Sequence, residues 1–206
     1  MGFLTSDIFG LHDRTRVEVF AYYCGPPVTD ATQARIRSTL DHWREITALT
    51  DKQAAGQIIA DNIDILIDLN GYTKDARTKL FALRPAPIIV NWLGYPGSTG
   101  GPFHHYIIAD DVIIPPAMEH YYSEQVLRFP CYQPNDRHRV VASDVPTRAQ
   151  TGLPDDAFVF CCFNGSQKIT RIVFDSWLDI LRAVPDSVLW LLSGVSEIDE
   201  RLRARR

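Results

Sequence analysis

The sequence predicts a parallel α/β fold in two parts, and three observations carry that expectation. Short apolar runs rich in β-branched residues recur along the chain. They alternate with segments of helical periodicity, the pattern of βαβ units. The alternation breaks once, in a polar stretch from Pro130 to Asp156 with prolines at 130, 134, 146 and 154, and then restarts. We therefore expect an N-terminal parallel α/β domain over residues 1–130, a linker over 131–156, and the start of a second such domain over 157–206.

Each element follows from its local pattern. Arg16–Tyr23 alternates and is rich in β-formers, so it reads as a strand that Gly25-Pro26-Pro27 ends. Thr29 or Asp30 can cap a helix with Ile36, Leu40, Trp43 and Ile46 on one face. Thr50-x-x-Gln53 is a capping box for a short helix to about Ala60. Ile63–Leu69 is nearly continuous in apolar residues, as expected of a strand covered on both faces. Asn70-Gly71 breaks it, Ala76–Leu83 is helical, and Pro85 and Pro87 precede a strand over Ile88–Leu93. A glycine-rich loop, Gly94–Gly101, leads to strands near Tyr106–Ala109 and Gln125–Phe129. Beyond the linker come a strand over Ala157–Phe163 and a helix placing Val173, Trp177, Ile180, Leu181 and Val184 on one face. A strand over Ser187–Leu192 follows, then a charged segment ending in Arg205-Arg206. Two strands and two helices cannot cover a sheet, so the second unit reads as cut short.

Composition narrows the function classes. The 206 residues are 46% hydrophobic and 22% charged, with net charge −4 and no basic block, which argues against nucleic acid as the partner. No apolar run approaches the roughly 20 residues a membrane helix needs. Cys24, Cys131, Cys161 and Cys162 show no zinc spacing, and the adjacent pair reads as buried free thiols on a strand, which suits a reducing cytoplasm. Met1-Gly2-Phe-Leu-Thr-Ser6 fits the myristoylation pattern only formally, and no signal peptide is legible.

Cys161–Lys168, CCFNGSQK, joins a strand to an amphipathic segment. Turns at the carboxyl ends of parallel strands meet helix N-termini, where free N–H groups and the helix dipole favour an anion. Gly165 would let a ligand approach, Ser166 offers a hydroxyl and Lys168 a point charge. The residue types allow a phosphate site or an ordinary turn with a solvated lysine. The stretch is neither a P-loop nor Gly-x-Gly-x-x-Gly.

Three blocks, Asp64–Gly100, Tyr121–Asp136 and Phe163–Leu192, together resemble the O-linked N-acetylglucosamine transferases. These are the SPINDLY-like glycosyltransferases that usually carry tetratricopeptide repeats upstream, and Cys131–Asp136 is similar to the bacterial branch. The resemblance runs over roughly residues 3–195. It implies a glycosyltransferase B-type fold, with a partial Rossmann-like catalytic domain over 1–130 and the start of a second over 157–206, and transfer of N-acetylglucosamine from UDP-GlcNAc to Ser/Thr hydroxyls of protein or peptide acceptors, with inversion. UDP-GlcNAc would sit mainly on the second domain. The resemblance puts Lys168 on the UDP pyrophosphate as the catalytic cation, with Asn164, Gly165, Ser166 and Gln167 beside the donor.

No Asp-x-Asp occurs in the chain, so no metal is expected and no other cofactor either. Asn70, Tyr72, Thr73, Tyr95, Pro96 and Gly97 would lie on loops near the sugar and acceptor. Gly165 and Gln167 depart from the side chains the family more often carries there. Asp64 stands where the animal enzymes have histidine, so no histidine role carries over, and with Asp61 it flanks a strand start away from the site. His12, before a strand, reads as a surface residue, and His104-His105 as loop surface or sheet edge. A different class stays open: a noncatalytic remnant that serves as a binding or interaction module.

Overall fold

The computed structural model describes residues 2–204, and the Arg205-Arg206 end of the charged segment lies outside them. The chain divides into two compact units, one ending at Val140 and one beginning at Val141.

In the first unit, α1 (Gly2–Thr5) and a 3-10 turn (Ile8–Leu11) precede β1 (Phe20–Tyr23). Then come α2 (Ala31–Ser38), β2 (His42–Glu45), α3 (Asp51–Ala60), β3 (Ile65–Asp68), α4 (Thr78–Ala82), β4 (Ile88–Asn91), β5 (Tyr106–Ala109) and β6 (Gln125–Arg128). Every pairing is parallel: β1 with β2 in one sheet, and β3-β4-β5-β6 in order in a second. The core lies under α3 and α4, where Ile46, Ala54, Ile58, Leu66, Leu80, Phe81 and Ile89 pack together.

Two sequence expectations fail here. Asp30 does cap α2, accepting from the Gln33 N–H, but the helix stops at Ser38. Trp43 lies in a strand and Ile46 just beyond it, in the core. Cross-strand aromatic pairs decide the matter: His42 stacks on Phe20 at 4.1 Å and Trp43 on Tyr23 at 5.0 Å. β3 is covered on one face only. Leu66 and Asp68 are buried beneath α3 and α4, whereas Ile65 and Ile67 are 55% and 43% exposed. No described helix covers that face.

In the second unit, α5 (Arg148–Thr151) sits within the stretch read as linker, closed by a Thr147/Gln150 capping box. β7 (Phe158–Cys162) and β8 (Ser187–Leu191) pair in parallel, with α6 (Arg171–Ala183) between them and α7 (Ser196–Arg203) after them. The buried face of α6 is rotated from the expected one. Phe174 is its buried anchor, Trp177, Leu178 and Leu181 are partly covered, and Val173 and Ile180 are exposed. The four covered positions share one helical stripe, and two strands offer no more surface than that stripe needs. Cys161 is exposed and Cys162 half-buried, so the expectation of two buried thiols fails as well. A two-stranded sheet leaves one strand face open.

Candidate acceptor-side loops and donor turn

At the carboxyl end of β3 the chain must turn sharply, and a buried carboxylate makes the turn. Asp68 is 2% exposed, and its Oδ1 accepts the N–H groups of Asn70 at 2.9 Å and Gly71 at 3.0 Å. Gly71 has φ +54°, and a β-carbon there would come within 2.5 Å of the Tyr95 β-carbon, so only glycine fits. The two loops therefore touch. Tyr72 donates its hydroxyl to the Thr99 carbonyl at 2.7 Å and sets its ring edge-on to Tyr95, 5.5 Å between centroids.

The loop after β4 is held the same way. Asn91 is fully buried and donates from Nδ2 to the carbonyls of Tyr95 at 3.1 Å and Gly97 at 3.3 Å. Leu93 has φ +77°, and the Gly94 N–H closes on the Trp92 carbonyl, a strained γ-turn for a bulky residue. Glu124, before β6, accepts from the Thr99 N–H and the Ser98 hydroxyl at 2.7 Å each, and from the Thr99 hydroxyl. Burial works against ionisation of Glu124, but the bonds from Thr99 and Ser98 outweigh it and hold its carboxyl below the usual range. Tyr122 fixes the Pro96 carbonyl at 3.0 Å. Asn70, Tyr72, Tyr95, Pro96 and Gly97 thus stand on one braced patch. Thr73 is exposed beside it.

In the second unit, Asn164 to Lys168 follow β7 as the sequence suggests, but the turn is its own element. Ser166–Lys168 form a 3-10 turn, and α6 starts only at Arg171, capped by Thr170. Lys168 therefore stands two residues before the cap, not at the helix mouth. Its side chain and those of Asn164 and Gln167 are exposed. Ser166 is buried; a β-carbon on Gly194 would sit 3.3 Å from its hydroxyl. Gly165 has φ −57°, so its lack of a side chain makes room for the Gln167 amide, 2.5 Å from where a β-carbon would be. Asn164 Nδ2 points back to Cys162 Sγ at 3.6 Å. This turn exposes a cation and two amide side chains, donors that a diphosphate can accept from.

The family model for glycosyl transferase family 41 matches residues 2–133 and 133–204. The chain belongs to that family. Among relatives it is 39% identical to the protein described as "Probable UDP-N-acetylglucosamine--peptide N-acetylglucosaminyltransferase SEC" of Arabidopsis thaliana, over 97% of this chain and 21% of the relative. It is 29% identical to the UDP-N-acetylglucosamine--peptide N-acetylglucosaminyltransferase of Caenorhabditis elegans, over 97% of this chain and 27% of that protein. Among solved structures, a lysine-to-methionine mutant of the Thermobaculum terrenum O-GlcNAc transferase matches with TM-score 0.83 and 32% identity. That match covers 99% of this chain and 39% of the other. The chain spans about a fifth to a quarter of the length of these curated relatives. The parallel sheets of this family 41 chain are those of the expected glycosyltransferase B-type, Rossmann-like fold.

Other candidates in the family 41 chain resolve structurally. Asp61 closes α3, accepts the Tyr22 hydroxyl at 2.8 Å and pairs with Arg44 at 3.2 Å, which holds its carboxyl low. Asp64 and His12 are exposed. His104 contradicts its reading as loop surface or sheet edge: its side chain is 0% exposed, with Nε2 3.1 Å from Asp68 Oδ2. The reason lies in the connection. Residues 92–105 replace the usual crossover helix between parallel strands, so their end packs on the sheet, and His104 meets the ring of Phe81 at 5.2 Å. Asp68, Asn91 and Glu124 were missed in the sequence. An acid inside an apolar run just before Asn-Gly was the available signal for Asp68. A shallow cavity of about 410 Å³, lined by Arg84, Pro85, Ala86, Pro87 and His105, lies at the amino ends of β4 and β5. Ligands of open α/β sheets sit at the other end.

Proposed function

We propose that this chain is part of the catalytic region of a protein O-GlcNAc transferase. That region moves N-acetylglucosamine from UDP-GlcNAc to Ser/Thr hydroxyls of protein or peptide acceptors, with inversion. The observation that carries the reading is family 41 membership across residues 2–204, joined to relatives named as UDP-N-acetylglucosamine--peptide transferases. In this reading Lys168 places its ammonium on the diphosphate and offsets the charge that grows on departing UDP, assisted by the N–H groups of the 164–168 turn and the N-terminus of α6. Asn164 and Gln167 offer amides to the donor. Asn70, Tyr72, Thr73 and Tyr95–Gly97 form the acceptor side. Tyr72 has its hydroxyl committed to Thr99, so its ring face, not its proton, meets the ligand.

No metal is assigned, because the chain carries no Asp-x-Asp pair to hold one against a sugar diphosphate. The resemblance also supports upstream tetratricopeptide repeats in the full-length protein and a cytoplasmic setting. No described helix is long and apolar enough to cross a membrane. The test is transfer of labelled sugar from UDP-GlcNAc to a Ser/Thr peptide by the full-length protein, with and without excess EDTA. Transfer that persists in chelator supports the reading. Absence of transfer sinks it, and loss in EDTA restored by Mg²⁺ or Mn²⁺ sinks the metal-free mechanism.

A further inference from the structure

We propose that His104 is a positioning residue for the acceptor loop, acting through Asp68. The inference rests on the functional reading above only for what the loop binds. The Asp68 carboxylate accepts two backbone N–H groups through Oδ1, so its Oδ2, facing Nε2 at 3.1 Å, is an acceptor as well. The imidazole therefore donates from Nε2. Both side chains are buried, 0% and 2% exposed, so neither can touch substrate, although an Asp–His pair otherwise has the make-up of a general base. Nδ1 finds no partner among the described residues. The ring is thus held by aromatic contacts with Phe81 and Phe103 and by one polar link, the bond to Asp68.

That link fixes which way the carboxylate faces. With Oδ2 held by His104, Oδ1 is turned to the N–H groups of Asn70 and Gly71. Gly71 is then seated against Tyr95, and Tyr72 reaches Thr99. Without it, Asp68 would be a buried carboxylate with one oxygen unpaired, and it would turn or draw in water. The Asn70–Thr73 loop would lose its floor.

Two variants test this. Gln carries an N–H close to where Nε2 stands, whereas Asn carries one near Nδ1 and cannot reach Asp68; both are neutral and smaller than His. H104N should speed hydrogen exchange at the Asn70 and Gly71 amides about tenfold or more and raise the peptide KM by a similar factor, leaving the KM for UDP-GlcNAc unchanged. H104Q should stay within about twofold of the unmodified protein in all three. Equal effects of both variants, or unchanged exchange in H104N, would overturn the proposal; Asn also leaves the larger gap, so the readout is exchange at the Asn70 and Gly71 amides and not the melting temperature. Should H104N not fold, the unmodified protein decides. A slowly exchanging His104 Nε2 proton supports the link, and one exchanging as fast as that of a surface histidine refutes it. If the unmodified protein transfers no sugar, the functional reading fails, while the exchange comparison still decides the role of His104 in holding the loop.

Discussion

Lys168 lies in a solvent-facing turn, so its removal costs the fold little packing. In the proposed reaction its charge would act where UDP gains negative charge as the glycosidic bond breaks, which would place the effect on kcat more than on binding. K168A should lower transfer about a hundredfold, the ~3 kcal/mol expected for one lost charge-assisted contact. K168R should recover only part of it, since a planar guanidinium is larger and differently directed. Steady-state transfer to a peptide, run beside a melting curve, checks both; turnover near wild type in K168A would reduce Lys168 to a solvated turn residue. Glu124 makes a second residue-scale prediction. Its folded pKa is depressed, so its contribution is whole above the ordinary glutamate value of about 4.3 and is lost as pH falls through the lower folded value. E124Q should therefore melt below the unmodified protein at neutral pH, with the gap closing in acid. A gap that stays constant to low pH would remove the charge from the account.

Elements show how far local pattern carries. The capping box before α3 was readable from Thr50-x-x-Gln53, and both of its bonds are present, Gln53 N to Thr50 Oγ1 at 3.3 Å and Thr50 N to Gln53 Oε1 at 2.9 Å. T50A should cost about 1 kcal/mol, read as a lowered denaturant midpoint with unchanged slope. β5 was legible to the residue because its apolar run is bounded by loop signals on both sides. The α2–β2 boundary was not, because Leu40, Trp43 and Ile46 satisfy a helical spacing that only the β1 partner strand overrules. Lys168 and the loop glycines stood out by residue type at strand ends. Asp68 had a local signal, the acid just before Asn-Gly, that went unread. Asn91, Glu124 and His104 had none, because each gains its role from partners 4 to 36 positions away. Long-range pairing has no local signature.

At the scale of the whole chain, the two compact units meet in sequence at Val140-Val141, and Val140, Val141 and Val145 are 88%, 86% and 82% exposed. Limited trypsin digestion should cut first within residues 137–148, at exposed Arg139 or Arg148, before any site between β3 and β4. Mass spectrometry of the first fragments reads the order, and early cuts at Arg77 or Arg84 would contradict the division. The braced loops carry a kinetic consequence as well. Tyr72 meets Thr99 across 27 positions and Asp68 meets His104 across 36, so neither contact can form until β3, β4 and β5 have found their register. The braced patch is then the last part of the first unit to assemble and the first to come apart. Substitutions such as Y72F should speed unfolding while leaving the folding arm of the chevron almost unmoved.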